Sequence, residues 1–304
     1  MASLKHIKLK IQSYTKTGTV THAMEAVSAV KMRKSQERAI LSRPYARAGL
    51  RVLAGISGST NVARHPLMRE RNTGQVAIVI ITSDKGLAGA LNSAVIRKTE
   101  EFIREEQLKR EDLVFLCLGK RGYEFALRSG YKVVHYHTNI SDAIDEREFR
   151  VVTDQVIALY HKGKLREARV AYTNFRSIFE QQPAVHKVLP LSRKAVEHIV
   201  ADILPERGKY ADMDEGNGVD VYTMEPEADE VLKALIPRLV NIAIFHKMLE
   251  SKASEHSARM VAMKNATDKA KEMAGDLTRK FNKVRQAAIT REVSEITSGI
   301  EAMR

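Results

Sequence analysis

Several residue types are scarce or absent in this sequence, and each shortage excludes a class of protein. Cys117 is the single cysteine among 304 residues, so neither an internal disulfide nor a cysteine-based metal site can form. It lies in the apolar run 114–118 and is expected to be a buried, inert thiol. Tryptophan is absent and proline occurs only 7 times, a composition that favours long helices.

Long apolar runs are also missing. No stretch of 18 apolar residues occurs, and the N-terminus, MASLKHIKLK, has neither the apolar segment nor the cleavage site of a secretory signal. We therefore expect no membrane span and no export. The hydrophobic fraction of 44% over this length is enough for a sizeable core and about two domains.

Acidic residues are scarce in one part of the chain. Residues 1–75 carry 14 Lys and Arg against 3 Asp and Glu, whereas residues 76–226 carry 22 against 23 and residues 227–304 carry 14 against 11. The net charge of +13 therefore belongs mainly to the N-terminal arm. Such a field indicates an acidic partner, which nucleic acid, anionic lipid or an acidic protein surface would each supply.

The C-terminal segment carries the strongest periodic signal. Residues 238–304 contain no proline, and an apolar seam recurs there at alternating steps of four and three residues. A seam of this kind predicts one continuous helix wound around a partner helix. A helix of about 60 residues is about 90 Å long. The core of a domain of this size could not bury a helix of that length, so the helix must project from its domain. Such a projection favours a mechanical or bracing role over catalysis. The twelve seam positions are Leu249, Ala253, His256, Met260, Met263, Thr267, Ala270, Ala274, Leu277, Phe281, Val284 and Ala288.

The rest of the chain predicts a second long helix and an α/β domain. Residues 3–57 are expected to be helical, and residues 76–82, VAIVIIT, are typical of a buried parallel strand. Further strands are expected near 113–118, 131–136, 168–174 and 186–191, separated by loops and helices. The expected apolar side of the first helix is formed by Leu4, Ile7, Ile11, Tyr14, Ala23, Met24, Val27 and Val30.

The fold class predicted from these patterns is α/β with a long antiparallel α-helical coiled coil. The N- and C-terminal helices pair, and a central Rossmann-like, doubly wound domain lies between them. The expected boundaries are 1–58 for the N-terminal coiled-coil helix, 76–205 for the α/β domain, 206–225 for a foot loop with an edge strand, and 226–304 for the C-terminal coiled-coil helix.

A search for catalytic and binding motifs yields little. The loop SDKGLAGALN after the first predicted strand contains Gly86 and Gly89 but lacks the G-x-G-x-x-G fingerprint and a Walker motif. His135 and His137 share a strand face, yet no Cys or carboxylate nearby has metal-ligand spacing. No Ser, His and Asp set stands in a nucleophile elbow. We therefore expect no catalytic residue, no cofactor and no metal site in this chain.

Five segments in their order along the chain resemble the gamma subunit of F-type, rotary ATP synthases. Together these segments extend over the whole chain, with Lys85, Ala88 and Leu91 as conservative departures in the loop after the first strand. The matching segments are MASLKHIKLKIQSYTKTGTVTHAMEAVSAVKMRKSQERA, SRPYA, TSDKGLAGALN, ASEHSARMVAMKNATDKA and NKVRQAAITREVSEI.

This resemblance implies a central rotor stalk without catalytic residues of its own. In the family, the paired helices enter a ring of three alpha and three beta subunits, and the α/β domain sits with the epsilon subunit on the c-ring. One gamma subunit per complex turns with the proton-driven c-ring and forces the beta catalytic sites through ATP synthesis or hydrolysis. The implied location is the cytoplasmic face of a bacterial cell membrane, with only peripheral membrane association through the c-ring and no nucleic acid.

The resemblance also implies partner contacts at specific residues. Tyr222 and Glu225 match foot positions that face epsilon and the c-ring. Arg291 stands where the family commonly has glutamine, which adds a charge near the proposed contact with beta. The residues that match contacts with the beta subunit are Met24, Lys31, Arg33, Lys34, Arg285, Gln286 and Thr290.

Two other functions compete with the rotor hypothesis. A basic coiled-coil protein that binds nucleic acid would explain the charge of the N-terminal arm, and its affinity for DNA would fall steeply with salt. An oxidoreductase built on the α/β domain would bind a cofactor, although the glycine fingerprint for it is missing. Neither hypothesis explains the matching C-terminal segments.

Overall fold

A computed structural model of the chain describes residues 4–41, 65–143, 146–191 and 228–303. The chain forms two compact units, one of residues 1–29 with 259–304 and one of residues 30–258. The end of the first predicted helix and the predicted foot loop lie outside the described residues. The domain boundaries expected from the sequence stay a prediction.

Five helices longer than one turn and five strands occur within the described residues. A short 3-10 turn, Arg110–Asp112, precedes the second strand. The elements in chain order are α1 (Leu4–Leu41), β1 (Gln75–Ile81), α2 (Leu91–Glu105), β2 (Leu113–Leu118), α3 (Lys120–Arg128), β3 (Lys132–His137), α4 (Glu146–His161), β4 (Leu165–Phe175), β5 (Gln181–Leu189) and α5 (Ala228–Ala302).

The five strands form one sheet in the order β3-β2-β1-β4-β5. The first four strands are parallel and β5 is antiparallel to β4. The strand order reverses between β1 and β4, because the chain builds outward through β2 and β3 before it returns to the other side of β1. This arrangement confirms the predicted doubly wound domain.

The central strands are buried on both faces, which is why their sequences are continuous apolar runs. One face, with Val76, Ile78 and Ile80 of β1, packs against apolar residues of α2 and α3. The opposite face, with Val79 at its centre, packs against α4 and the first part of α5. Burial in this second core explains why residues 239–249 are buried on every side of α5. The same helix continues through Pro237.

The pairing of α1 with α5 is antiparallel, as predicted. Gly18 lies beside Ala270, and Thr21, three residues further along α1, lies beside Thr267, three residues earlier in α5. The predicted seam of α5 is confirmed between His256 and Val284, because every seam position there is buried or half-buried. Ala288 is exposed. In the register of the helix pair it lies opposite a position that precedes Leu4, the first described residue of α1.

The seam predicted for the later part of α1 is wrong. Ala23, Val27 and Val30 are exposed, although they are more apolar than their neighbours. The buried positions instead continue the heptad row that starts at Leu4, and this row passes mainly through small and polar residues. Small side chains there permit close packing of the two helices. The buried positions of α1 beyond Tyr14 are Gly18, Thr21, Ser28, Met32, Ser35 and Ala39.

Candidate functional site

The carboxyl edge of the parallel strands is filled by a hydrogen-bonded loop. In a doubly wound domain this edge is the usual ligand site. Here the Asp84 carboxylate accepts hydrogen bonds from the backbone N–H groups of Lys120, at the start of α3, and of Ile140. The Asn92 side chain binds both the backbone N–H and the hydroxyl of Ser83. The Asp84 carboxylate thus occupies the N-terminal end of α3 and ties the loop after β1 to the loops after β2 and β3.

The same edge is packed too closely for side chains at Gly119. Its φ is +99°, and an added Cβ would lie 2.0 Å from the backbone oxygen of Thr82. The Thr82 hydroxyl in turn accepts the backbone N–H of Gly122 at 2.8 Å. The loop that follows β1 and the loop that follows β2 are therefore closely packed against each other at the end of the sheet.

His135 and His137 lie two positions apart on β3. Burial lowers the pKa of His135, and the neighbouring His137 lowers it further. Within the described ranges, no group of three His, Cys, Asp or Glu side chains is arranged to hold a metal ion.

The C-terminal residues predicted to contact beta lie on the surface of α5. Arg285, Gln286 and Thr290 are all exposed, and the Thr290 hydroxyl donates to the Gln286 carbonyl oxygen at 2.9 Å. Arg291, the departure from the family pattern, is exposed and binds Glu295 at 2.7 Å. All four side chains therefore lie on the solvent-facing surface of this part of α5.

An exposed apolar stripe follows these residues toward the end of α5. It was not recognised from the sequence, although its steps of four and three residues are the spacing of a coiled-coil seam. The register of the helix pair places the stripe beyond the first described residue of α1. The stripe consists of Ile289, Val293, Ile296, Ile300 and Met303, which are 52%, 57%, 59%, 59% and 89% exposed.

The N-terminal residues predicted to contact beta are divided between surface and intramolecular contacts. Met24 is half-buried, whereas Arg33 and Lys34 are exposed. Lys31 is exposed too, but its Nζ lies 2.8 Å from the Asp142 carboxylate. Tyr222 and Glu225, the predicted foot residues, lie outside the described residues. The proposed contacts with partner subunits stay predictions.

Asp142 lies at the centre of a charged group that we name the Asp142 cluster, formed with Lys31, Arg38, Lys252 and His256. Its carboxylate accepts from His256 Nε2 at 2.9 Å and lies 3.8 Å from Lys252 Nζ. Its backbone oxygen accepts from Arg38 Nη1 at 2.8 Å. Hydrogen bonds from His256 and Lys31 hold the pKa of Asp142 well below its usual range, against the opposing effect of burial.

The Asp142 cluster could not be found from the sequence. Asp142 lies in the unpatterned stretch between β3 and α4, and its partners are more than 100 residues away in the chain. Lys31 carried the only signal, because it belongs to the basic run that suggested an acidic partner. The structure supplies an acidic partner for it within the same chain.

None of the helices in the described ranges combines the length and the apolarity that a bilayer span requires.

Comparisons with known proteins cover the whole chain. Residues 3–303 match the family model described as ATP synthase. The chain is 37% identical over 305 residues to the ATP synthase gamma chain of Roseiflexus castenholzii, with 100% of this chain and 99% of the relative covered. It is 38% identical over 303 residues to the ATP synthase gamma chain of Dechloromonas aromatica, with 100% of both chains covered.

Solved structures share the fold. A chain in the Euglena gracilis mitochondrial ATP synthase, in a structure of OSCP, F1 and c-ring, has a TM-score of 0.63 and 17% identity over 99% of this chain and 94% of that chain. A chain in the central stalk and c-ring of the Tetrahymena thermophila mitochondrial ATP synthase has a TM-score of 0.57 and 21% identity. The likeness covers 81% of this chain and 99% of that chain. With the matches along the whole sequence, these likenesses lead to one conclusion: the chain belongs to the ATP synthase gamma-subunit family.

Proposed function

We propose that this chain is the central rotor stalk that couples rotation of the c-ring to ATP synthesis or hydrolysis at the beta-subunit catalytic sites. The observation that carries this proposal is the apolar stripe from Ile289 to Met303, which lies on one helix beyond the described part of its partner. A single helix gains little stability in water from an exposed apolar stripe. A surrounding protein surface, which we assign to the alpha3-beta3 hexamer, would bury it.

The residues before the stripe supply polar contacts for the same surface. Arg285, Gln286 and Thr290 are exposed on α5, and Arg33 and Lys34 are exposed on α1. Exposed guanidinium and ammonium groups suit an acidic surface, and the excess of positive charge in the first 75 residues strengthens the attraction. We assign the acidic surface to the beta subunit, with Met24 and Lys31 near the same contact.

A rotor must be stiff, and its faces must differ. Two paired helices resist bending and twisting better than one helix does. The exposed side of α1 carries Val20, Ala23 and Val27, whereas the last part of α5 carries the apolar stripe and the polar residues before it. A shaft with different faces interacts differently with three beta subunits, as any coupling of rotation to the states of the sites requires.

In this proposal, the chain itself is not catalytic. The polar side chains at the carboxyl edge of the sheet serve the fold: Asp84 and Asn92 bind neighbouring backbone groups. Nucleotide binding and phosphoryl chemistry would then belong to the alpha and beta subunits.

The remaining partners are proposed on the family resemblance. The epsilon subunit and the c-ring would contact the foot, where Tyr222 and Glu225 are the candidate residues. One copy per complex would join the ring of three alpha and three beta subunits to the c-ring at the cytoplasmic face of a bacterial cell membrane. The association with the membrane would be peripheral, through the c-ring.

Reconstitution tests the proposal. The full chain is mixed with alpha and beta subunits, the complex is isolated, and ATP hydrolysis is measured beside a version truncated after Ala274. We expect a complex with one copy of this chain per three alpha and three beta subunits, and turnover that depends on it. Failure to assemble, together with DNA binding that falls steeply with salt, would favour the nucleic-acid hypothesis instead.

A matched pair of full-length variants tests the stripe itself. Replacement of Ile289, Val293 and Ile296 by glutamine removes the apolar surface and keeps a helix-compatible residue at each position. Replacement of Ser294 and Ser298 by glutamine changes the same part of the helix outside the stripe. We expect the first variant to lower assembly or turnover and the second to behave as the unchanged chain. Equal behaviour of both variants would contradict the role of the stripe.

A further inference from the structure

We propose that Asp142 is a positioning residue that locks α1 to the α/β domain and to α5, so that torque applied to the domain enters both helices. This inference rests on the proposed rotor function and deepens it. Asp142 touches neither substrate nor nucleotide in this proposal. Its role is to prevent rotation of one helix relative to the domain.

The contacts of Asp142 come from two helices that are far apart in the sequence. From α1, Lys31 binds the carboxylate at 2.8 Å and Arg38 binds the backbone oxygen at 2.8 Å. From α5, His256 binds the other carboxylate oxygen at 2.9 Å. Asp142 therefore binds α5 through one carboxylate oxygen, and it binds α1 through the other carboxylate oxygen and the backbone oxygen. The two α1 residues are two helical turns apart.

The loop that carries Asp142 is itself fixed to the sheet and to α5. The backbone N–H of Ile140 donates to Asp84, in the loop after β1, at 3.2 Å. Lys252 of α5 donates to the Ile140 backbone oxygen at 3.1 Å. A force on Asp142 is thus passed to the sheet through hydrogen bonds and not through a free loop.

Burial distinguishes the α5 side of this cluster from an ordinary surface ion pair, whereas Lys31 on the α1 side is exposed. His256 and Lys252 are only 3% and 9% exposed, so solvent screens their interaction with Asp142 weakly. Exposed ion pairs contribute little because water competes for them and their side chains are mobile. The partners from α5 are held by the packing around them, and this makes the cluster geometrically specific.

The two helices depend on Asp142 to different degrees. The first part of α5 is held in the second core of the sheet by apolar residues such as Leu239 and Val240. The contribution of α1 to that core is Ala39 among the described residues. Loss of the Asp142 carboxylate should therefore loosen α1 more than α5. The pair would then be less stiff in torsion, while the chain keeps its fold.

The test compares two activities of the complete ATP synthase in the same vesicles. ATP hydrolysis and ATP-driven proton uptake are measured for the complex with the unchanged chain, Asp142→Asn, Asp142→Glu and Arg38→Met. Asp154→Asn is the matched control, because Asp154 is an exposed carboxylate on α4 of the same unit, 3.6 Å from Arg150. Asparagine keeps the size of Asp142 and removes its charge.

We expect Asp142→Asn to keep hydrolysis and to lower proton uptake per ATP about fivefold, at the lower end of the usual range of coupling between two sites. Arg38→Met should change the ratio in the same direction, Asp142→Glu should restore part of it, and Asp154→Asn should leave it unchanged. A merely structural role would lower both activities together and would not change their ratio.

Three results separate the possible failures. If the complex with the unchanged chain shows no chain-dependent hydrolysis or proton uptake, the proposed function fails. If that complex works and all variants keep its ratio, the inference about Asp142 is overturned. If Asp142→Asn does not assemble, Arg38→Met decides, because it leaves the carboxylate in place; an unchanged ratio in Arg38→Met then overturns the inference.

Discussion

The side-chain hydroxyl oxygens of Thr21 and Thr267 lie 2.6 Å apart across the antiparallel pair of α1 and α5. Both residues are buried, with 9% and 2% exposed. Each hydroxyl also lies within hydrogen-bond distance of a backbone oxygen of its own helix. The two hydroxyls meet only when the helices are aligned in this way, so the pair favours this register of the helix pair.

We predict that the two threonines are energetically coupled. Valine preserves the shape of threonine, so Thr21→Val and Thr267→Val each remove one hydroxyl without a large cavity. Each single replacement should lower the free energy of unfolding by about 1 kcal/mol. The double replacement should cost less than the two single costs together, because the second hydroxyl no longer has a partner to lose. Urea unfolding of the four chains measures this cycle.

Thr278→Val serves as the control for the threonine cycle. Its hydroxyl is exposed and donates to the Ala274 carbonyl oxygen of its own helix at 2.7 Å. We expect a change close to zero. Strict additivity of the Thr21 and Thr267 effects would contradict the coupling.

Gly18→Ala should stabilise the helix pair. Glycine in a helix interior costs about 0.5–1 kcal/mol relative to alanine. An added Cβ would lie 3.6 Å from the Ala270 Cβ, which is ordinary van der Waals contact. Gly275→Ala is the matched control, because nothing lies within 4 Å of its added Cβ. The midpoint of thermal unfolding should be at least as high for Gly18→Ala as for Gly275→Ala. A midpoint for Gly18→Ala below that of the unchanged chain would mean that the seam tolerates no methyl group at this position.

Gly119→Ala should destabilise the α/β domain severely. The residue combines a φ of +99° with a Cβ position 2.0 Å from the Thr82 oxygen, so both strain and overlap oppose any side chain. We expect a loss above about 3 kcal/mol in the free energy of unfolding. Gly89→Ala, at φ +57° with nothing within 4 Å, should cost only about 1–2 kcal/mol. Equal losses of unfolding free energy in Gly119→Ala and Gly89→Ala would show that backbone strain alone, without the overlap, accounts for the effect at Gly119.

The stabilising effect of Asp142 should depend on pH in the acidic range. The folded chain lowers the pKa of Asp142 relative to its ordinary value. Its contribution is therefore complete above the unfolded value of about 3.9 and is lost as the pH falls from there toward the lower folded pKa. The stability difference between the unchanged chain and Asp142→Asn should be constant near neutral pH and shrink below about pH 4. A difference that grows on acidification would contradict this sign.

Cys117 should be unreactive in the folded chain. Its side chain is fully buried in β2, and burial raises the pKa of the thiol to about 12. Because the thiolate is the reactive form, iodoacetamide should modify the thiol only after unfolding. Mass spectrometry across a urea titration should show modification that follows loss of the sheet. Rapid modification without denaturant would mean that β2 opens locally.

The parts of the fold that were predictable have local signals. The strand 76–82 was recognisable because both faces of a central parallel strand are apolar, and β1 indeed spans Gln75–Ile81. The seam of α5 was recognisable because twelve positions repeat the same spacing. In α1 the same reasoning failed after Tyr14: Val27 and Val30 are apolar, but they are 55% and 58% exposed. Hydrophobicity alone does not show whether an apolar residue of a helix lies in the seam or on the exposed side.

The sequence by itself determined the family, the doubly wound sheet and the existence of a long helix pair, since these depend on motifs and periodicities that extend along the chain. Only the tertiary structure decided the register of that pair, through Gly18 and Thr21 opposite Ala270 and Thr267. It also brought Lys31 and His256 to the Asp142 carboxylate. These contacts join residues more than 100 positions apart, and their geometry depends on how the helices pack against the sheet, which no local pattern encodes.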